Sequence, residues 1–509
     1  MKIDFVKNTK RNLIASVIYR LIQLLFPFFN RTLFLWILGS AYLGLNGLFT
    51  SILGVLMLSE LGFGNAIINS MFKPVAEDNK DLLCAYLRFF RTLYRWVGTC
   101  IFIAGLCLLP FLRYLVHGNI PSDVNLYILF LIHLCNTSAS YFFFAYRGSI
   151  FSAHHRKDVL DNIRSTISVI QYIVVFLILF FTKNYYLYII VTVLFTMTTN
   201  VLFLTTSRKM FPDIEPRGEL PEINRRKIFS DIKSIIMHKF GGIITGYADN
   251  IVISSLLGLV AVAAYGNYYY VLTSVGGFIS AFSISMHGGF GNKIHTETKE
   301  ENFSLFMKMT RLTLIVTIWS ASMTAALYQP FITVWTKGNP TLVRHWLTPV
   351  LMVLFFYIQH ARQVLLTFKS AAMIWKEDQW KPVVAGIANL IINIMLVLLL
   401  PDDYKLDGVI FSTILTLIFV QMPWESHALF TVFFNKSQSR KYWCMQGGFS
   451  LLALVLCSAS ATITYYIPIE GLYGLIVKGI AATIFSSLSI LILFRHDCKA
   501  LLQTLLKKK

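Results

Sequence analysis

Apolar runs of about 20 residues recur along the whole chain, separated by mostly short polar connections. As an α-helix, a run of this length crosses the roughly 30 Å hydrocarbon core of a bilayer. The pattern predicts about fourteen spans, at residues 11–37, 45–70, 84–111, 123–146, 160–182, 185–206, 229–256, 261–287, 304–328, 346–368, 382–400, 407–433, 442–466 and 471–494. We therefore expect an all-α integral membrane protein whose even number of spans places both termini on the same side.

Composition excludes a soluble protein. Apolar residues make up 56% of the chain and charged residues 14%, and the mean hydropathy is +0.63, which is typical of membrane proteins. The basic N-terminus leads straight into the first span without a small-residue cleavage site, so we expect a retained signal anchor. The seven cysteines are scattered and form no C-x-x-C pair, which disfavours a disulfide framework or a zinc site.

The net charge of +20 suggests nucleic-acid binding at first, but the position of the charge favours another explanation. Most Lys and Arg residues fall in connections that a cytoplasmic N-terminus would place inside, as the positive-inside rule requires. Anionic lipid headgroups can neutralise such segments. We expect a multi-pass protein with both termini in the cytoplasm, surrounded by membrane lipids and without a nucleic-acid partner.

Residues 211–222 form the long polar, proline-bearing interruption that separates six spans from eight. The hairpin at residues 38–46 is echoed at residues 257–267, the same hairpin of the second half. This repeat predicts two six-helix lobes with a cleft between them. The predicted domains are the first lobe at 1–207, a cytoplasmic linker at 208–228, the second lobe at 229–434, and two additional helices with a basic tail at 435–509.

Two arginines stand inside the first predicted span, where lipid tolerates charge poorly. Arg20 and Arg31 flank Pro27, and a guanidinium group at the bilayer centre costs about 2.5–3.5 kcal/mol on insertion scales. We expect at least Arg20 to face a wetted interior that receives an anionic group, because an arginine fork binds two phosphate oxygens at once. An ion pair between Arg20 and Glu60, and snorkelling of Arg31 to the outer interface, remain as alternatives.

Residues 42–80 and 247–272 resemble the Wzx-type polysaccharide repeat-unit flippases of O-antigen and capsule assembly, within the multidrug/oligosaccharidyl-lipid/polysaccharide exporter superfamily. The resemblance implies a V-shaped transporter, like the MATE proteins of that superfamily, which alternates between inward-open and outward-open states. It also implies a flippase for undecaprenyl-pyrophosphate-linked oligosaccharide repeat units in the bacterial inner membrane. Such a protein serves O-antigen, capsule or exopolysaccharide assembly, with a polysaccharide polymerase and a chain-length regulator as possible partners.

A cargo with a pyrophosphate and sugars needs cations and aromatic or hydroxyl groups. The candidate substrate-binding residues are Arg20, Arg31, Glu60, Arg91, Arg95, Lys239, Tyr268 and Arg311. For Arg91 and Arg95, which form a stripe with Arg88, and for Arg311, a basic band at the headgroups is the competing interpretation. For Tyr268 it is an interfacial aromatic belt. Arg164 and Arg362 are expected to snorkel.

Some sodium-coupled members of the superfamily build an ion site from spans seven, eleven and twelve. The resemblance therefore implies that Asp249, Asn389, Asn393 and Thr413 are the ion-coupling oxygens, with Na⁺ or H⁺ as the ion. Hydrogen bonding between helices is the alternative explanation of the asparagines, which stand at i and i+4. No other cofactor or metal is predicted.

Two other functions fit a polytopic membrane protein. A MATE-like drug or cation antiporter would need carboxylates in the first lobe, where the first span offers arginines. A membrane polysaccharide polymerase or glycosyltransferase would need a substantial external loop, whereas the main one, at residues 329–346, is short. No nucleophile motif, P-loop or paired loop carboxylates are present, so we expect a transporter and no enzyme.

Overall fold

The computed structural model describes residues 5–57, 63–118, 120–374 and 380–497. The chain forms two units, residues 1–262 and residues 263–509. In the described part of the chain, helices account for nearly all regular structure. Each unit is described by itself below.

The helices of unit 1 are long and apolar. They are α1 (Phe5–Ile37), α2 (Ser40–Leu56), α3 (Phe63–Ala76), α4 (Lys80–Leu108), α5 (Leu126–Phe142), α6 (Gly148–Ala153), α7 (Lys157–Thr182), α8 (Tyr185–Met210) and α9 (Glu222–Leu256). Several begin at an asparagine whose side chain accepts backbone N–H groups of the first turn, as Asn79 does from Leu82 at 3.0 Å. These caps satisfy donors that have no partner inside the helix.

In unit 1, α1 packs along α7, α7 on α8, α5 on α4 and α8, and α9 on α2. The glycines of α2 lie at close contacts with α9 and with the start of α10 (Leu259–Thr296). A Cβ atom on Gly44 would lie 1.8 Å from the backbone oxygen of Leu259, the first residue of α10, and one on Gly54 would lie 2.6 Å from the ring of Tyr247 in α9. Asn250 of α9 donates a hydrogen bond to Ser51 Oγ at 2.9 Å on the same face. Small residues thus allow two membrane helices to approach backbone to backbone.

The polar connection between α8 and α9 is fixed to unit 1. Lys80 forms an ion pair of 2.7 Å with Asp213, and Arg88 donates to the backbone oxygen of Gly218 at 2.9 Å. The buried Arg147 donates to Glu215, which also accepts from Arg208 at 2.9 Å. Although burial acts to raise it, these two guanidinium groups hold the pKa of Glu215 below its ordinary value.

The helices of unit 2 include one long helix that packs on four others. They are α10 (Leu259–Thr296, which begins in unit 1), α11 (Lys299–Trp335), α12 (Leu347–Ala361), α13 (Gln363–Ala371), α14 (Lys381–Leu399), α15 (Lys405–Thr416), α16 (Met422–Val432), α17 (Lys436–Tyr465) and α18 (Gly471–Leu493). This long helix, α11, packs on α12, α13, α17 and α18. A π-helical turn at Leu417–Gln421 joins α15 to α16.

Among the described residues, nine helices are long and apolar enough to span a membrane, or ten if the bent pair Leu126–Phe142 and Ala145–Ala153 counts as one span. These match ten of the predicted spans. The other four predictions fall on α1, α2 with α3, α9 and α10, so the all-α membrane fold is confirmed while the count of 14 stays a prediction. The predicted domain limits of 207, 228 and 434 likewise stay predictions.

Candidate functional site

The first helix presents Arg20 on an exposed side. One face of α1 is hydrogen-bonded to α7 and α8, since Asn30 donates to the Tyr188 hydroxyl at 3.0 Å and Gln23 to Ser168 Oγ at 3.3 Å. Arg20 lies among exposed apolar neighbours of the same helix, and Arg31, one position after Asn30, is half-buried. The helix therefore keeps a guanidinium group at its surface within a long apolar segment.

The basic stripe of the third predicted span lies on α4. Arg95 is exposed and Arg91 is half-buried, while Arg88 is engaged with the connection between α8 and α9. Both α4 and α1 pack against α2. The structure thus places the candidate arginines of unit 1 on two helices that flank a common neighbour.

Two of the candidate substrate residues cannot be located in full. Glu60 lies outside the described residues, and for Lys239 the structure describes the helical backbone of α9 and no side chain. The suggested pair of Arg20 with Glu60 therefore stays a prediction.

The two candidates of unit 2 are engaged with other residues of that unit. Tyr268 is fully buried; its hydroxyl donates to Gln329 Oε1 at 2.9 Å and accepts the backbone N–H of Arg344 at 3.1 Å. Arg311 is exposed and forms an ion pair of 2.8 Å with Asp497. For either residue to bind the substrate, these contacts would have to be broken and replaced by contacts with the substrate.

A polar cluster lies where α14 packs on α15. Asn389 and Asn393 are fully buried, and Ser412 donates to Asn389 Oδ1 at 3.3 Å. Thr413, also buried, donates to the backbone oxygen of Val409 at 3.4 Å. These side chains carry neutral oxygens, which are the ligands that hard cations take. Asn389 thus contacts α15 through Ser412, Asn393 lies one turn further along α14, and the bond of Thr413 stays within its own helix.

The fourth predicted ion-coupling residue, Asp249, is buried on α9 and belongs to unit 1. Its neighbour Asn250 is the residue that bonds Ser51 of α2. Asp249 thus lies on a helix whose packing is fixed by close small-residue contacts. A carboxylate buried at membrane depth marks a functional position more often than a structural one.

Sequence reasoning missed a buried ion pair in unit 2 and placed one of its members wrongly. Arg362 was expected to snorkel, but its side chain is 8% exposed and lies 2.9 Å from the carboxylate of Glu425, which is 12% exposed. Snorkelling fails here because the compensating charge is inside the protein. The available signal was the acidic Glu425, two positions after Pro423, in the twelfth predicted span.

No group of three His, Cys, Asp or Glu side chains that could hold a metal ion occurs within the described ranges. The candidate residues described above offer arginines, buried amides, hydroxyl groups and the buried carboxylates of Asp249 and Glu425. These groups bind and neutralise charge.

The comparisons with known proteins agree with this description. A family model described as "Polysaccharide biosynthesis protein" matches residues 9–285. No curated protein matches the sequence.

Among solved structures, the lipid II flippase MurJ in an inward closed conformation is similar, with a TM-score of 0.61 and 16% identity over 95% of this chain and 99% of that chain. An inward-facing multidrug resistance MATE family transporter of the MOP superfamily gives a TM-score of 0.58 and 13% identity, over 82% and 97%. A mutant of the Vibrio cholerae MATE transporter VcmN gives 0.55 and 13%, over 83% and 97%. At these identities the similarity establishes the fold, and the predicted MATE/MOP-like fold is confirmed.

Proposed function

Because this chain belongs to the Polysaccharide biosynthesis protein family, we propose that it is a flippase for undecaprenyl-pyrophosphate-linked oligosaccharide repeat units. The family and the MurJ-like and MATE-like fold support a flippase of the MOP superfamily. The proposed location is the bacterial inner membrane, with both termini in the cytoplasm. The proposed process is assembly of O-antigen, capsule or exopolysaccharide, together with a polymerase and a chain-length regulator.

The observation that carries the proposal is the exposed Arg20 within the long first helix of a polysaccharide-family protein. A pyrophosphate headgroup cannot enter hydrocarbon without compensation of its charge. Guanidinium groups compensate it with bidentate, charge-assisted hydrogen bonds. In this proposal, Arg20 and Arg31 of α1 and Arg91 and Arg95 of α4 receive the diphosphate.

The remaining candidates have supporting roles. Lys239 and Arg311 would add positive charge at the cytoplasmic side, and Glu60 would balance it. Tyr268 would act on the sugars only after its hydroxyl leaves Gln329 and Arg344.

Transport in this proposal is alternating access driven by Na⁺ or H⁺. Asn389, Asn393 and Thr413 would offer oxygens to the ion; this is supported by their burial on α14 and α15 and by the contact of Asn389 with Ser412. Asp249, the fourth predicted ion-coupling residue, would contribute a buried carboxylate on α9 of unit 1.

The test is a deletion strain. Loss of the protein should leave glycan synthesis on the lipid carrier intact, so that lipid-linked repeat units accumulate at the inner leaflet while surface glycan disappears. If no lipid-linked oligosaccharide accumulates, or only incomplete ones do, the protein would instead be an enzyme of repeat-unit synthesis. Increased resistance to cationic dyes on overexpression, with surface glycan unchanged, would indicate a drug antiporter.

A further inference from the structure

Arg362 and Glu425 form a buried ion pair in the part of unit 2 where two membrane helices are irregular. Nη1 of Arg362 lies 2.9 Å from both carboxylate oxygens of Glu425 and 2.9 Å from Gln421 Oε1. Nη2 donates to Gln359 Oε1 at 3.1 Å. The pair brings together residues 63 positions apart in the sequence.

Both helices that hold the pair depart from regular α-helix beside it. Arg362 occupies the break between α12 and α13. Gln421 is the last residue of the π-helical turn, and Glu425 follows in the first turn of α16. Irregular backbone at membrane depth is tolerated where it is buried in protein or lines water, and π-helical turns occur often at functional sites. The ion pair of Arg362 and Glu425 therefore bridges two points at which the helices depart from regular α-helix.

The hydrogen bonds of Arg362 leave part of its guanidinium group unused. Nη1 serves three acceptors, whereas the buried Nε–H has no hydrogen-bond partner among the described residues. An arginine that is fully matched to a carboxylate donates two parallel hydrogen bonds along one edge. Here Nε–H has no acceptor and Nη2 donates to Gln359, so this buried edge has donors left for a further oxygen acceptor.

We propose that Arg362 and Glu425 are a proton-linked anion site, at which the diphosphate of the cargo and the carboxylate of Glu425 compete for the same guanidinium group. When phosphate oxygens take over Arg362, the displaced carboxylate of Glu425 takes up one proton from water. No covalent bond changes, and Arg362 keeps one negative partner throughout. The inference deepens the proposed function and rests on it, since it concerns the headgroup of the same cargo.

Charge balance is the reason for the exchange. Protonation of Glu425 alone would leave a buried guanidinium group uncompensated, and arrival of the anion alone would leave a buried carboxylate uncompensated. Each event is favourable only together with the other. Binding of the anion should therefore draw in a proton, and acidification should tighten binding of the anion.

Other titratable groups face the pair and must be separated from it. His360 of α12 and Tyr442 of α17 interact electrostatically with Arg362, and Tyr442 also interacts with Glu425 and with Tyr357. His360 Nδ1 lies 2.8 Å from the backbone oxygen of Phe356, and Tyr442 is bonded by Gln446 at 3.0 Å. The Glu425→Gln substitution leaves these groups unchanged. A difference in proton uptake between the wild type and this variant therefore reports on Glu425.

The experiment is titration calorimetry of the purified full-length protein with inorganic pyrophosphate and with undecaprenyl pyrophosphate, in buffers of different ionisation enthalpy. The wild type should take up about one proton per bound diphosphate, and its affinity should rise about tenfold for each unit by which the pH is lowered through the linked range. Subtraction of the Glu425→Gln result removes the ionisation of the ligand itself.

Glu425→Gln should lose the proton uptake, and Glu222→Gln, which changes an exposed ion-paired glutamate of α9, should retain it. If the single variant does not fold, the double variant Arg362→Gln/Glu425→Gln removes both charges and should bind without proton uptake and more weakly. Unchanged uptake in either Glu425 variant, or no binding of either diphosphate to the wild type, would overturn the inference. Uptake with inorganic pyrophosphate but not with undecaprenyl pyrophosphate would also overturn it. Lipid-linked units would still accumulate in the deletion strain in those cases if the proposed function is correct.

Discussion

The close contact of α2 with the start of α10 makes Gly44→Ala the most direct test of the packing of unit 1. The added Cβ atom would lie 1.8 Å from the backbone oxygen of Leu259, whereas ordinary van der Waals contact begins at 3.4 Å. The neighbouring atom belongs to the backbone, so relief requires one helix to move away from the other by more than 1 Å, about the difference between these two distances. The same movement would strain the hydrogen bond from Asn250 to Ser51.

The magnitude follows from two opposing effects. Overpacking of a close contact costs about 1–3 kcal/mol or more, while replacement of a helical glycine by alanine gains about 0.5–1 kcal/mol. We expect a net loss of about 1–2 kcal/mol, which corresponds to a fall of about 2–4 °C in melting temperature per kcal/mol for a unit of this size.

The assay is thermal unfolding of the detergent-purified protein, followed by intrinsic fluorescence. Gly447→Ala in α17 is the matched control, because nothing lies within 4 Å of its added Cβ atom; it should be neutral or stabilising by about 0.5–1 kcal/mol. Gly47→Ala should fall between the two, since its contact is a side-chain carbon of Val262 at 3.2 Å. Equal melting temperatures for Gly44→Ala and Gly447→Ala would refute the close approach of these helices.

Three further predictions concern charge and ions. Arg20→Ala should reduce export of lipid-linked units at normal expression, and Arg20→Lys should restore it only in part because a point charge replaces the fork; full surface glycan in the alanine variant would contradict this role. Sodium at ten times its dissociation constant should stabilise the purified wild type by about 1.4 kcal/mol relative to choline, and Asn393→Leu should remove the difference. If the variant retains the sodium effect, the α14–α15 cluster is not the ion site. Because the pKa of Glu215 is lowered in the folded protein, its stabilisation of residues 211–221 should persist at neutral pH and be lost as the pH falls below about 4.3 and then through the lowered value. Hydrogen exchange of that segment should show the loss, and Glu215→Gln should abolish its dependence on pH.

The positions of the spans were largely predictable because they depend on local hydropathy. Ten of the predicted spans coincide with apolar helices among the described residues. The second predicted span shows where this reasoning stops. Residues 45–70 cover the end of α2 and the beginning of α3, with residues 58–62 not described between them. A hydropathy value is averaged over a window of residues, so it does not show at which residue a helix ends.

The candidate site was predictable by residue type and only partly by partner. An arginine within an apolar run is visible in the sequence, so Arg20 could be proposed as a site residue, and that role stays a prediction. The ion pair of Arg362 depended on Glu425, which is distant in sequence. The proline-bearing segment 211–222 was recognised as a connection. Its attachment to unit 1 depended on Lys80, 133 residues before Asp213.

The sequence by itself determined that the chain lies in a membrane, roughly where its helices cross it, and which unusual charges it carries there. These properties follow from the transfer free energy of each residue, which is a local quantity. The tertiary structure decided that no side chain fits at position 44, which buried charges neutralise one another, and which buried amide contacts a neighbouring helix. Those properties depend on distances of a few ångströms between residues far apart in the chain, because packing and charge compensation act only at contact range.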